Sequence, residues 1–239
     1  MPEELGTILN NLNEIEEKIF GDLKIYSGLW INSHQQRIFI TTAWSGWGKT
    51  SAARATTRIC SSIYKNKIID FILFTGVAGA ANESLKQWDI VVANSVINYD
   101  LDARPLYQQF EIPALKQKKL TPNQKLFKVL SNSLSEAKRK GFLDGFGNIV
   151  EGLIGTGDQF ISDELVLKNI SKKIPNIFAV EMEGAAFAQV ASQEDFQWII
   201  LRVISDSANN SAEEDFTQFL EKYKFKSWEL VKYFLNEIN

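Results

Sequence analysis

The sequence predicts an α/β protein: one domain with a central mixed, mostly parallel twisted sheet flanked by helices. Three observations predict it. Residues 68–75 (Ile-Ile-Asp-Phe-Ile-Leu-Phe-Thr) form an apolar run, the mark of a strand covered on both faces. From there to the end, strand-like segments alternate with helix-like ones, an order that produces a parallel sheet with helical cover. No linker, composition break or internal repeat divides the 239 residues, so residues 1–239 are read as a single domain.

The elements follow in order. Residues 2–19 place Leu5, Ile8, Leu9, Leu12, Ile15 and Ile19 at helical spacing, with Pro2 where a first-turn proline is tolerated. Residues 24–31 and 37–42 alternate apolar and polar around Asn32-Ser33-His34-Gln35-Gln36, predicting a hairpin. Residues 48–64, rich in Ala and Thr, predict a helix. The run 68–75 ends in Gly76-Val77-Ala78-Gly79-Ala80-Ala81, a small-residue turn able to bring backbone amides close to a ligand. Next come a strand at 89–97, a polar-aromatic stretch at 98–117 and a helix at 122–140 that stops at Gly141. A strand at 148–155, a loop at 156–160, a helix from about 162 and a short strand at 177–180 follow. A helix at 183–192, a strand at 198–204 and one long terminal helix from about Ala212 complete the chain.

Composition excludes several classes of function. With 26 basic and 29 acidic side chains the net charge is −3, which gives a polyanion such as nucleic acid nothing to hold. One cysteine, Cys60, makes no internal disulfide and fits a reducing cytoplasm; one histidine, His34, leaves no His-rich metal centre. No metal or other cofactor is expected. No apolar run approaches the ~20 residues of a membrane span, and the acidic start Met1-Pro2-Glu3-Glu4-Leu5 is unlike a signal peptide. The expectation is a cytoplasmic protein with no membrane partner.

Ligands of such sheets sit beyond the carboxyl ends of the strands, which directs attention to the exits after Thr75, Gly155 and Ile204. A competing signal comes first. The segment Ala43-Trp44-Ser45-Gly46-Trp47-Gly48-Lys49-Thr50, between a strand and a helix, resembles a phosphate-binding P-loop. Its first position is Ala43 rather than Gly, two tryptophans crowd it, and Asp70 precedes the next strand's apolar run instead of ending it. A Gly-rich turn feeding a helix is the better account.

At the real exits, Ser205-Asp206-Ser207 puts an acid at a strand end, where Asp also serves as a turn former or cap. Val180-Glu181-Met182-Glu183-Gly184 places two acids where a helix begins; they suit either the helix dipole or a pocket wall. Gly157-Asp158-Gln159-Phe160-Ile161 offers a flexible turn with an aromatic that is equally suited to a core.

Taken in order, five blocks carry a resemblance: Ser45-Gly46-Trp47-Gly48-Lys49, Thr75-Gly76-Val77-Ala78-Gly79, Gly157-Asp158-Gln159-Phe160-Ile161, Val180-Glu181-Met182-Glu183 and Ile204-Ser205-Asp206. Over essentially its whole length the chain resembles the 5′-methylthioadenosine/S-adenosylhomocysteine nucleosidases of the purine nucleoside phosphorylase superfamily. The resemblance implies a three-layer α/β sandwich that hydrolyses the bond between adenine and a 5′-substituted ribose. The methylthio, homocysteinyl and 5′-deoxy forms of adenosine are all open as substrates.

It also implies roles. Asp206 is the acid that protonates the imidazole ring of the departing purine, with Ser205 beside it holding the base. Glu183 grips the ribose hydroxyls and stabilises oxocarbenium charge; Met182 packs under the sugar and Phe216 over it. Phe160 stacks on the base, the Ile161 backbone meets its edge, and Val180, Val77 and Gly79 complete the pocket. Glu4 activates water and Arg202 helps hold it. Superfamily phosphorylases bind phosphate with Arg at the position of Phe74 and Ser or Thr at that of Val77. Both are apolar here, which favours water as nucleophile. Trp47 and residues 101–110 are implied to close the pocket across a homodimer. Two departures stand out: Val77 replaces a small hydroxyl residue, and the family's short apolar strand before the first helix has no counterpart ahead of Met1, so the expectation is a natural product with an earlier start. The competing functions are a phosphorylase, betrayed by a phosphate requirement, and a non-catalytic nucleoside-binding or storage protein. Magnesium-dependent nucleotide hydrolysis would revive the P-loop.

Overall fold

Gly21 adopts φ +66° beside Asp22 and turns the chain between Phe20 and Leu23, which pair directly. This two-residue turn, of the kind that matches strand twist, organises the beginning of the computed structural model, which describes Leu5, residues 8–209 and residues 212–238. Strands β1 (Asn13–Phe20), β2 (Leu23–Ile31) and β3 (Arg37–Ala43) form an antiparallel sheet in the order β1-β2-β3. The hairpin expected at 24–42 is therefore present, whereas the helix expected at 2–19, whose residues 2–4, 6 and 7 lie outside the described residues, is corrected from residue 9 on: a short 3-10 turn, Leu9–Asn11, precedes a strand. Ile15 and Ile19 had no core to reach and stay 46% and 58% exposed, so helical spacing yielded to pairing with β2. Leu23 and Ile25 of β2 pack with Ala55 of helix α1 (Gly48–Cys60). That helix ends four residues before the expected 64, where Tyr64 and Lys67 bridge.

The second sheet contains β4 (Phe71–Phe74), β5 (Val77–Ala80), β6 (Ile90–Asn98), β7 (Lys119–Leu120), β8 (Ile149–Thr156), β9 (Ile177–Glu181) and β10 (Gln197–Asp206), ordered β4-β10-β5-β9-β8-β6-β7. The pairings β4–β10, β5–β10, β6–β8 and β8–β9 are parallel; β6–β10, β5–β9 and β6–β7 are antiparallel. Contact of β10 with both β5 and β6 closes five strands into a ring, a feature the expected mixed, mostly parallel sheet did not include. The expected small-residue turn at 76–81 is also corrected. Gly76, at φ +152°, kinks the chain, and the backbone resumes as β5, so β4 and β5 lie in succession along one edge of β10.

Helices α2 (Gln124–Arg139), α3 (Glu164–Lys173), α4 (Gly184–Gln193), α5 (Ala212–Tyr223) and α6 (Ser227–Asn236) complete the molecule. The single terminal helix expected after Ala212 is two helices. The break carries Lys226, whose ammonium donates to the Asp144 carbonyl at 3.0 Å and faces the Trp88 and Phe146 rings. Side chains of a strand alternate between faces, and β10 shows the result: Ile199, Leu201 and Val203 pack under α2, α5 and α6, while Ile200 and Ile204 pack under α4. Arg202 lies on this second face by the same alternation. No helix among the described residues is long and apolar enough to cross a membrane.

Candidate active site

The carboxyl ends of β10 and β9, strand β5 and the loop after β8 converge on one cavity, which β3, β4 and the latter half of α1 also line. At the end of β10, Asp206 is 5% exposed. Its Oδ2 accepts from the Ser205 hydroxyl at 2.7 Å and its Oδ1 from the Ala208 amide at 2.8 Å. Burial pushes its pKa above the ordinary carboxylate value; the Ser205 and Ala208 bonds oppose that and nearby Asp215 adds to it. Gly79 is paired with Asp206 across β5, and a Cβ there would stand 2.9 Å from Asp206 Oδ1. A side chain at 79 would displace the acid.

At the end of β9 the two acids take different places. Glu181 is buried, pairs with the Arg202 guanidinium and accepts the Thr156 hydroxyl. It also takes the Glu183 amide at 3.1 Å and the Gly184 amide at 2.8 Å, so it caps α4 as the helix dipole favours. Thr156 in turn accepts the Ala185 amide at 2.8 Å. Glu183 points toward the cavity, where its Oε1 accepts from the Gly48 amide at 2.8 Å and its Oε2 lies 3.4 Å from Arg202.

The P-loop resemblance dissolves at the same place. Amides that would wrap a phosphate donate to carboxylates: Gly48 to Glu183, and Lys49 to Asp158 at 2.8 Å. The Lys49 ammonium is held by Asp100 and Asp158. The N-terminus of α1 is already satisfied by the protein's own anions.

An aromatic wall stands opposite. Phe216 of α5 meets Phe160 edge-to-face at 5.7 Å and Trp47 at 6.1 Å, and Trp47 remains 46% exposed at the mouth. Ile161, Val180, Met182, Val77 and Ser205 line the remainder. The residues singled out from sequence thus share one cavity, except Glu4, which lies outside the described residues, and residues 101–110, none of which lines it within the chain. Glu181 and Thr156 were not singled out as site residues. Only the unusual pairing of acids two apart hinted at Glu181; the Thr156 contact spans 25 positions and has no local signal.

Comparison with known proteins follows the same lines. The model of the phosphorylase superfamily matches residues 1–236. A 5′-methylthioadenosine/S-adenosylhomocysteine nucleosidase of Staphylococcus aureus is 31% identical over 242 residues, covering 100% of this chain and 97% of that protein. Among solved structures, the nucleosidase of the same name from Neisseria meningitidis, in complex with methylthio-immucillin-A, superposes with a TM-score of 0.85 at 27% identity. That alignment covers 100% of this chain and 96% of the other. The futalosine hydrolase of Helicobacter pylori superposes with a TM-score of 0.84 at 27% identity, covering 100% and 95%.

Proposed function

The chain belongs to the phosphorylase superfamily as an N-glycosidase, and on that premise we propose that it hydrolyses 5′-substituted adenosines to adenine and the free sugar. The observation that carries this reading is the buried carboxyl of Asp206 at the end of β10, whose pKa burial raises. A purine leaving as an anion is a poor leaving group; a proton from Asp206 to its imidazole ring lets it depart neutral. Ser205 orients that carboxyl by its 2.7 Å bond. The base lies against Phe160 and the backbone of Ile161, bounded by Val180, Val77 and Gly79. Met182 and Phe216 enclose the sugar, while Glu183 takes its hydroxyls and stabilises the positive charge that grows on the ring. Arg202 holds the attacking water and Glu4 removes its proton.

Electrostatics favour water over phosphate. Among the described residues lining the cavity, Arg202 is the one cation, beside Glu181, Glu183 and Asp206, and it is already engaged by two carboxylates. A phosphate dianion placed there lacks the charge-assisted partners it needs. The protein acts as a homodimer in this proposal, with exposed Trp47, Leu106 and Tyr107 at the closing interface.

The decisive experiment incubates the protein with methylthioadenosine and follows free adenine with and without phosphate. Equal release, with a reducing sugar, is the expected result; release only with phosphate makes the protein a phosphorylase. No release, with tight binding of the nucleoside, makes it a binding protein. S-adenosylhomocysteine, 5′-deoxyadenosine and futalosine as parallel substrates define the 5′ group.

A further inference from the structure

Arg202 is nearly inaccessible, with its side chain 3% exposed, and it carries charge in an apolar interior. Carboxylates constrain a guanidinium within its own plane: here Glu181 and Glu183 meet Nη2, and the Thr75 carbonyl lies 3.4 Å from Nη1. A surface against the flat face of the group constrains the remaining direction, the tilt of that plane.

That surface is Phe74. The Arg202 Cζ lies 4.5 Å from the centre of the Phe74 ring, within the range where a cation is drawn to an aromatic face. The ring is itself fixed from behind. Phe187 of α4 stacks on it with centroids 4.8 Å apart and planes 15° apart, and Trp198 meets Phe187 edge-on at 6.3 Å. The Trp198 indole N–H is anchored to the Ser192 hydroxyl at 2.9 Å. A ladder of three rings from β10 through α4 to β4 therefore ends on the guanidinium.

We propose that Phe74 is a positioning residue for the reaction: its ring fixes the plane of Arg202 and so the direction in which the guanidinium presents to the nucleophile. This rests on the role given to Arg202 above. It assigns Phe74 a positive task, where its apolar character alone speaks only against phosphate.

The test is a double-mutant cycle on the intact chain, with methylthioadenosine as substrate. Phe74→Leu keeps apolar bulk but removes the face; kcat falls about ten-fold while KM moves less than about two-fold. Phe74→Tyr retains the face and stays within about two-fold of the parent. In the Arg202→Lys background, which keeps the charge but not the planar group, Phe74→Leu changes kcat by less than about two-fold, because coupled residues are not additive. Equal losses from Phe74→Leu in both backgrounds, or a Phe74→Tyr variant as slow as Phe74→Leu, overturn the inference and leave the role of Arg202 standing. If Arg202→Lys alone turns over like the parent, Arg202 has no such role and the inference fails with it. Thermal midpoints accompany every variant, so a loss caused by unfolding appears as a shift in midpoint.

Discussion

The two walls of the cavity are held together by different means. At the acid corner, where β5, β9 and β10 end, both oxygens of Asp206 are bonded, Glu181 takes a hydroxyl, two amides and a guanidinium, and Gly79 leaves room only for the carboxylate. On the far wall, β3 pairs only with β2 and β4 only with β10, so each presents an edge that no other described strand takes up. Side-chain packing of half-buried residues such as Ile40 and Leu73 secures that wall. Polar over-determination fixes reacting groups to fractions of an ångström, whereas apolar packing without a closing ladder sets shape but not backbone order.

The largest effect expected is at the acid corner. Asp206→Asn loses at least about 100-fold in kcat, consistent with removal of a general acid, while still binding a purine analogue; turnover near that of the parent would falsify the assignment. Its stability moves the opposite way. Because the folded-state pKa of Asp206 is raised, whatever it contributes to stability is complete below the unfolded carboxylate value and lost as pH rises through the folded one. Above that folded-state pKa the parent carries an ionisation that burial opposes, and there Asp206→Asn has an equal or higher thermal midpoint. A clearly lower midpoint would mean that the hydrogen bonds of Asp206 outweigh its burial. In the parent, kcat declines as pH passes the raised pKa; a pH–rate profile locates the decline, and a midpoint at or below the ordinary Asp value would remove burial as its cause.

A smaller effect is expected from the supports of that corner. Thr156→Val keeps the shape but strands the Ala185 amide and removes the hydroxyl bond to Glu181 Oε1, which keeps the Gly184 amide. It costs about 1–3 kcal/mol of stability, measurable by denaturant unfolding; a loss under about 0.5 kcal/mol would mean the corner tolerates missing bonds and the contrast between the walls is weaker than drawn. The mildest test perturbs nothing. In hydrogen exchange by mass spectrometry, peptides covering β3 and β4 exchange faster than those covering β6 and β8, which pair on both sides. Equal protection would mean that the far wall is as closed as the acid corner.

The same contrast explains what the sequence discloses. Exits of buried strands are legible because an apolar run stops at a polar residue, as at Ile204-Ser205-Asp206, and most of the site residues lie at such stops. Roles for Arg202 and Phe216 came through resemblance, since neither is locally distinctive. Elements decided by distant partners were missed. β1 became a strand because β2 offered an edge and Ile15 and Ile19 found no core; β5 resumed after Gly76 because β10 is long enough to pair twice. The P-loop resemblance failed for a similar reason: the carboxylates that claim its amides lie 109 and 135 positions away.

The bond from the Gly48 amide to Glu183 has a mechanical consequence. It fastens the first turn of α1, which packs against the hairpin sheet, to the residue assigned to the sugar. Glu183 is thereby tethered through α1 and Ala55 to the hairpin sheet, so the sugar position and the first sheet share one mechanical link.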